Sequence, residues 1–304
     1  GTIYMGFDPY TTSTGGAYYY LDGGMSNLKF YSTYAVSDAT APGIFNVMLS
    51  DMFHMYRTAE VTALGGLPSS VLAAYPLEVP SSASTPIIKD RNYEKRNFVA
   101  YGFSGVPSTD FDATDLPDNF EPIEGQTPAA LVFDGGSHLA QRFYAANSAT
   151  FLEDTLGTSF KNNFLIEFWF KCTDLPTAGG SQYLVSKIQP LAGEDNNVLN
   201  GFYIAIKENG GDVFVEFHHD QGIVGADTAT KLDIVDTTNI LVDTWYHVAV
   251  NVSDGVTALE GSAVAADVTA YLLVSVEGSS DTDFTTSDTS ATDPVIPDKP
   301  EPVC

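Results

Sequence analysis

Two segments of the chain alternate apolar and mixed residues in the pattern of a half-buried β-strand. In residues 163–171 the apolar positions of one face are Phe164, Ile166, Phe168 and Phe170. In residues 245–252 they are Tyr246, Val248, Val250 and Val252. Because side chains alternate across an extended backbone, each segment predicts a strand with one core-facing side and one mixed side. Strands of this kind build a two-layer β-sandwich.

Short strand candidates recur throughout residues 129–278. They are residues 130–133, 164–171, 183–187, 202–207, 213–218, 246–252 and 268–276. Turn signals separate several of them, at residues 134–136, 209–211 and 254–255. This spacing predicts a mostly β protein with an antiparallel jelly-roll β-sandwich over residues 129–278, preceded by a smaller β-rich block with one short helix.

Residues 1–105 form that preceding block, which is rich in aromatic residues and Met and poor in charge. Residues 17–31 predict a β-hairpin with its turn at Asp22-Gly23-Gly24. Apolar residues at near-helical spacing over 44–59 predict an amphipathic helix that ends before Gly65. The Met-rich stripe of this helix suits a core face or, alternatively, a subunit contact, because thioether side chains adapt to irregular partners. The block is therefore interpreted as an assembly domain.

Proline and acidic residues set off two further segments. Residues 106–128 contain four prolines and six carboxylates from Asp110 to Glu124, with no basic residue, which predicts an extended linker. Residues 279–304 are rich in Ser, Thr, Asp and Pro and predict an acidic flexible tail. The two cysteines, Cys172 and Cys304, are too few for a disulfide framework or a zinc site, so two free thiols are expected.

The charge balance excludes some partners. The chain has 39 acidic and 13 basic residues, for a formal net charge of -26. Such a surface repels phosphate backbones and anionic headgroups, so nucleic-acid binding is not expected. No apolar run approaches the roughly 20 residues needed to span a bilayer, so no membrane insertion is expected either.

Three motifs in order resemble the laminin G-like, concanavalin A-like jelly-roll family. They are Leu-Val-Phe-Asp-Gly at 131–135, Phe-Leu-Ile-Glu-Phe-Trp-Phe-Lys at 164–171 and Trp-Tyr-His-Val-Ala-Val at 245–250, followed by Asp-Gly at 254–255. The resemblance covers about half of the chain and implies the jelly-roll fold. It also implies a further long strand after residues 271–278, pairing beside the first strand, where this sequence instead becomes acidic. We expect a strand from the first block, or from a neighbouring subunit, to fill that position.

Aromatic residues on the mixed strand faces suggest a glycan site. Trp169, Trp245 and His247 fall on the non-core side of their strands, where rings could stack on sugar C–H surfaces. The alternative is that they pack beneath loops, as such Trp residues do in the family that the chain resembles.

Calcium is the cofactor that the resemblance suggests. Asp134 and the Asp195-Asn196-Asn197 loop supply the hard oxygen ligands that this ion prefers. Ordinary Asx turns are the alternative for the same residues.

The densest polar cluster is residues 215–220. Alternation places Glu216 and His218 on one strand face and His219 on the other, so this segment alone cannot assemble three metal ligands. The alternatives are an ordinary strand end and a metal or acid–base site. No strand carries carboxylates at alternate positions, as the glycoside hydrolases of this fold do, so an enzyme is not expected.

Together these features predict a non-enzymatic structural or adhesive component of a virion, a surface appendage or an extracellular assembly. It would belong to a homo- or hetero-oligomer and display the jelly roll for protein or glycan contacts. One alternative is a freestanding carbohydrate-binding, lectin-like module. A polysaccharide-cleaving enzyme is the second alternative.

Overall fold

The structure is a computed structural model. The part of the chain that the structure describes is residues 3–7, 20–32, 71–75, 87–88, 98–117, 129–141, 163–190, 199–220, 231–254, 268–277 and 286–290. These residues form sixteen strands and one short helix, α1 (Pro107–Asp110). The strands make two antiparallel sheets, which confirms the mostly β fold class. No helix within the described ranges is long and apolar enough to cross a membrane.

The first sheet contains eight strands. Their order is β13 (Lys231–Val235), β12 (Asp212–Asp220), β11 (Leu199–Asn209), β10 (Ser181–Pro190), β1 (Ile3–Met5), β8 (His138–Gln141), β5 (Phe98–Tyr101) and β4 (Ile87–Ile88). The long strands β10, β11 and β12 are consecutive hairpin partners, and Gly210 and Gly211 form the β11–β12 turn with positive φ angles.

The second sheet also contains eight strands. Along the main path they are β16 (Thr286–Ser290), β15 (Val268–Val276), β14 (Trp245–Asp254), β9 (Asn163–Cys172), β2 (Asp22–Ser32), β7 (Ala130–Asp134) and β6 (Phe111–Asp112), while β3 (Val71–Tyr75) pairs with β2. The two motif strands are direct neighbours, with Val248 opposite Phe168 and Val250 opposite Ile166.

The main hydrophobic core draws buried side chains from both sheets. Ile166, Phe168 and Val248 are fully buried and belong to the same cluster as Ile204 and Phe217 of the first sheet. The alternation of apolar residues therefore predicted the core-facing side correctly. Removing a large side chain here would cost about 2–5 kcal/mol, because a cavity would remain.

Strands from residues 1–105 lie inside both sheets. β1 is between β10 and β8, and β2 is between β9 and β7. The structure thus places β2, from the first block, beside β7, the strand formed by the first family-like motif. The described parts of residues 1–105 and 129–278 share two continuous sheets.

The turn predicted at residues 22–24 is wrong, because these residues begin β2. Gly23 pairs with Phe133 on one side and Cys172 on the other. A Cβ atom at Gly23 would lie 1.9 Å from the carbonyl oxygen of Lys171, and its φ is +155°. Glycine is therefore needed here because a neighbouring strand approaches closely. The sequence Asp-Gly-Gly resembles that of a turn, although it lies within a strand. The helix predicted over 44–59 lies outside the described residues.

Parts of the two proline-rich segments are ordered. Residues 106–117 contain α1 and β6, and β6 pairs with β7. Within 279–304, β16 pairs with the outer edge of β15. In both segments, pairing with a neighbouring strand supplies backbone hydrogen bonds, which the sequence pattern does not reveal.

Candidate functional site

The outer face of the first sheet carries a group of polar and aromatic side chains on four adjacent strands. We call it the Tyr203 cluster; its members are Tyr183, Tyr203, Lys207, Glu216, His218 and Asp233. Their neighbours in sequence, such as Ile204, Phe217 and Ile234, point into the core. Alternation along β11, β12 and β13 therefore directs these side chains outward.

Strand register brings the cluster together. His218 is directly opposite Tyr203 on one side and Asp233 on the other. Glu216 is two residues before His218 on β12, so it is the next outward-facing position, opposite Ala205 and Val235. Directly opposed and diagonal residues on one face are within reach of each other's side chains.

Hydrogen bonds connect the charged members. The Tyr203 hydroxyl donates to Oε1 of Glu216 at 2.6 Å, and Nζ of Lys207 donates to Oε2 of the same carboxylate at 2.9 Å. Nδ1 of His218 is hydrogen-bonded to Oδ1 of Asp233. Both carboxylates are thus held in fixed positions on the sheet.

Three rings pack around these bonds. The rings of Tyr203 and His218 stack at 4.9 Å with an interplanar angle of 16°. The Tyr183 ring meets the Tyr203 ring edge to face at 5.2 Å. The tyrosines and the histidine therefore form one packed aromatic group on the outer side of the sheet.

Electrostatics keep the Tyr203 phenol protonated. Burial raises its pKa, and the negative charge of Glu216 raises it further. The side chains of Asp233 and Lys207 are 58% and 48% exposed, whereas those of Glu216 and His218 are 10% and 13% exposed. Glu216 and His218 are therefore buried and hydrogen-bonded, whereas the charged ends of Lys207 and Asp233 contact solvent.

The structure separates the two histidines of residues 215–220, as the sequence predicts. Glu216 and His218 face outward, whereas His219 is fully buried against Phe202 and Phe217. Burial, followed by the nearby His218 and Lys187, lowers the pKa of His219 to about 3, so it is neutral at physiological pH. Among the described residues, no group of three His, Cys, Asp or Glu side chains could hold a metal ion.

Sequence reasoning missed Tyr203 and Asp233 as companions of Glu216. They come from β11 and β13, and only the register of three strands places them beside β12. The available signal was alternation: Tyr203 and Lys207 are polar positions among the apolar residues of 202–207.

The three predicted glycan-binding residues lie together on the outer face of the second sheet. His247 is directly opposite Trp169, and their ring centroids are 5.1 Å apart. Trp245 shares a small hydrophobic cluster with Trp169. All three residues are buried, with 5% or less of their surface exposed. In this conformation they offer no open surface to a sugar.

Part of what covers them comes from residues 106–117. The Trp245 indole donates from Nε1 to Oδ1 of Asp115 at 3.0 Å, and Leu116 packs on the Trp cluster. Nζ of Lys171 lies 5.5 Å from the Trp245 ring centre and forms an ion pair with Asp115. These contacts match the alternative interpretation, in which the Trp residues pack beneath a loop.

Glu167 and His247 add a polar pair to this buried face. Oε2 of Glu167 is 3.4 Å from Nε2 of His247, and both side chains are at most 3% exposed. Glu167 is thus part of the packing between β9 and β14.

Of the predicted calcium ligands, only Asp134 is among the described residues. Its Oδ1 accepts hydrogen bonds from the backbone N–H groups of Gly136 at 3.1 Å and Ser137 at 2.8 Å, which makes an Asx turn. Asp195 and Asn196 lie outside the described residues, so calcium binding there stays a prediction.

Cys172 is a free thiol in the core. Burial raises the thiol pKa, and the charges of Asp22 and Asp174 raise it further, so the reactive thiolate is suppressed. Cys304 lies outside the described residues.

Comparison with protein-family models, curated proteins and solved structures gave no match to this chain.

Proposed function

We propose that this protein is a non-enzymatic structural or adhesive component of a virion, a surface appendage or an extracellular assembly. It displays a laminin G-like β-sandwich for contacts with glycans or proteins. The observation that supports this most strongly is the Tyr203 cluster, in which aromatic rings and oriented carboxylates share one outer sheet face.

Sugar recognition needs the two kinds of groups that this cluster combines. Aromatic rings provide a rigid apolar surface for the C–H face of a pyranose, and carboxylate oxygens accept hydrogen bonds from its hydroxyls. Tyr203 and His218 supply the rings, and Asp233 supplies a half-exposed carboxylate. The cluster therefore replaces the buried Trp169, Trp245 and His247 as the favoured glycan site.

The assembly part of the proposal rests on charge and composition. A net charge of -26 keeps an extracellular particle protein soluble, and the charge-poor, aromatic segment 1–105 suits contacts with other subunits, either copies of this chain or different proteins. The proposed location is extracellular, at the cell surface or on a virion.

A glycan array tests the adhesive role directly. We expect the wild-type protein to bind at least one neutral or basic glycan, and Tyr203→Ala to weaken that binding by about tenfold, because a stacking ring contributes about 1 kcal/mol or more. Asp212→Asn is the control, since Asp212 is exposed at the β11–β12 turn, away from the cluster. Tyr203→Phe tests the hydroxyl separately.

Two results would overturn the proposal. One is a silent array combined with a strictly monomeric protein at high concentration in sedimentation experiments. The other is hydrolysis of the bound glycan that Glu216→Gln abolishes. That result would favour the polysaccharide-cleaving alternative, since Glu216 and Asp233 occupy diagonal positions on adjacent strands.

A further inference from the structure

We infer that one end of the sandwich binds residues 89–96 of a second copy of this chain in a head-to-tail contact. The contact rests on the assembly role proposed above and supplies the two surfaces that such an assembly needs. Three features support it: exposed apolar residues at that end, carboxylates beside them, and a basic segment that joins two strands on the opposite side.

Exposed apolar side chains gather where β14 begins and β15 ends. Leu241, Val242 and Val276 are 55%, 45% and 37% exposed, and they are three of the five large apolar side chains exposed among the described residues. The Tyr246 hydroxyl accepts a hydrogen bond from the backbone N–H of Leu241 at 2.9 Å, and Val276 is directly opposite Tyr246 on β15. Clustered exposed apolar residues, unlike scattered ones, mark surfaces that bind other molecules.

Carboxylates lie beside these apolar residues, around the end of β9. The backbone N–H of Asp243 donates to the carbonyl of Cys172 at 2.8 Å, and the residue after Cys172 donates to the carbonyl of Asp22 at 2.9 Å. Asp22 is directly opposite Asp134 and close enough to Asp174 for their charges to interact. We call this surface the end patch; its members are Leu241, Val242, Val276, Asp22, Asp134, Asp174 and Asp243.

The carboxylates of the end patch repel one another. Burial raises the pKa of Asp22, and the charges of Asp174 and Asp134 raise it further. Asp134 accepts backbone hydrogen bonds in its Asx turn, but these bring no positive charge. Lys171, near the end of β9, already forms an ion pair with Asp115. The end patch therefore favours a partner that brings cations.

The sequence has one dense group of basic residues, and it lies between β4 and β5. Residues 89–96 read Lys-Asp-Arg-Asn-Tyr-Glu-Lys-Arg and contain four of the 13 basic residues of the chain, against two acidic residues. Tyr93 lies between Arg91 and Lys95 in this segment. The segment matches both parts of the end patch, since an aromatic ring covers apolar residues while guanidinium and ammonium groups pair with carboxylates.

The strands direct this segment away from the end patch of its own chain. Tyr101, the last residue of β5, is opposite His138, which follows the turn after Asp134. Residues 89–97 join Ile88 to Phe98, which are paired at the other end of β5. The basic segment therefore meets the end patch of a neighbouring copy rather than its own.

The contact joins two different surfaces, so it does not close at a dimer. Head-to-tail contacts of this kind generate rings or filaments. The net charge of -26 opposes association of copies in general, so the attraction has to come from local pairing of opposite charges and apolar groups. At about 0.15 M salt the screening length is about 8 Å, which damps the long-range repulsion and preserves pairs in direct contact.

Sedimentation of the full-length chain at about 0.15 M salt tests this contact. We expect the weight-average mass to rise with protein concentration beyond that of a dimer. Leu241→Ser should weaken the association by about tenfold, because an apolar contact at the centre of the interface is lost. Val106→Ser is the matched control, since Val106 is 47% exposed and lies outside the end patch.

Two charge reversals identify the contacting surfaces. Arg91→Glu and Asp174→Arg should each weaken self-association by at least about tenfold, because each brings like charges together in the contact. An equimolar mixture of the two variants should regain association, since the altered segment of the first fits the altered patch of the second, and the two unaltered surfaces still fit each other. Cooperative thermal unfolding of each variant confirms that it is folded.

The outcomes separate this contact from the proposed function. Association that is unchanged in Leu241→Ser, Arg91→Glu and Asp174→Arg would place the subunit interface elsewhere, which overturns the contact and leaves the assembly role intact. A mixture of the two charge variants that stays monomeric would also overturn it. A wild-type chain that is monomeric at every concentration would remove the contact and, together with a silent glycan array, the proposed function.

Discussion

At the scale of single residues, one pair of like charges is directly opposed across strands. Asp22 at the start of β2 is paired with Asp134 at the end of β7. Burial raises the pKa of Asp22, and the charges of Asp174 and Asp134 raise it further. Since a raised carboxyl pKa means that ionisation is unfavourable in the folded state, the ionised Asp22 reduces stability at neutral pH.

Asp22→Asn should therefore stabilise the protein at neutral pH by on the order of 0.5 kcal/mol, the typical magnitude for a cross-strand charge pair. The gain should shrink as the pH falls and disappear below the ordinary Asp value of 3.8, where Asp22 is protonated in both the folded and unfolded states. Urea unfolding at neutral pH and at acidic pH measures both effects. A variant that is less stable than wild type at neutral pH would contradict this account.

At the scale of elements, residues 106–117 act as a cover on the second sheet. Asp115 accepts a hydrogen bond from Trp245 and forms an ion pair with Lys171. Leu116 packs on the hydrophobic cluster of Trp169 and Trp245. A segment with so few apolar residues is positioned by these specific side-chain contacts and by the short pairing of β6 with β7.

Asp115→Ala should destabilise the fold by about 1–2 kcal/mol, because the buried Trp245 indole loses its charged acceptor. It should also speed hydrogen exchange of that indole N–H, which NMR can follow since the chain has only two Trp residues. Asp243→Asn, at an exposed position with φ of 55° that Asn tolerates, is the control. Unchanged exchange of the Trp245 indole would show that Asp115 does not hold the cover in place.

At the scale of the whole molecule, the two sheets are completed by the N-terminal strands. β2 makes hydrogen bonds to both β9 and β7, and β1 to both β10 and β8. Without them each sheet would contain two exposed internal edges, with unpaired backbone groups and an open core.

A fragment of residues 106–304 should therefore fail to fold, although it contains the whole family-like segment. We expect it to lack cooperative thermal unfolding and dispersed NMR signals, and we expect co-expression with residues 1–105 to restore both. The full-length chain, treated identically, is the reference. A fragment that melts cooperatively at the wild-type temperature would show that 129–278 is an independent domain.

Local alternation determined much of this structure without any tertiary information. The pattern of Ile166, Phe168 and Val248 predicted which strand faces form the core, because a side-chain period of two is fixed by the extended backbone. The same rule separated Glu216 and His218 from His219 and assigned Trp169 and His247 to the non-core faces of their strands.

Strand partnership and covering contacts were decided only by the tertiary structure. No local pattern indicates that β2 lies between β7 and β9, that Tyr203 and Asp233 flank His218, or that Asp115 covers Trp245. These are contacts between residues far apart in sequence, and they depend on which edges of the two sheets remain unpaired as the core closes. The sheet face on which a side chain lies is thus fixed by the local backbone, whereas its neighbours and its exposure depend on how the strands assemble into sheets.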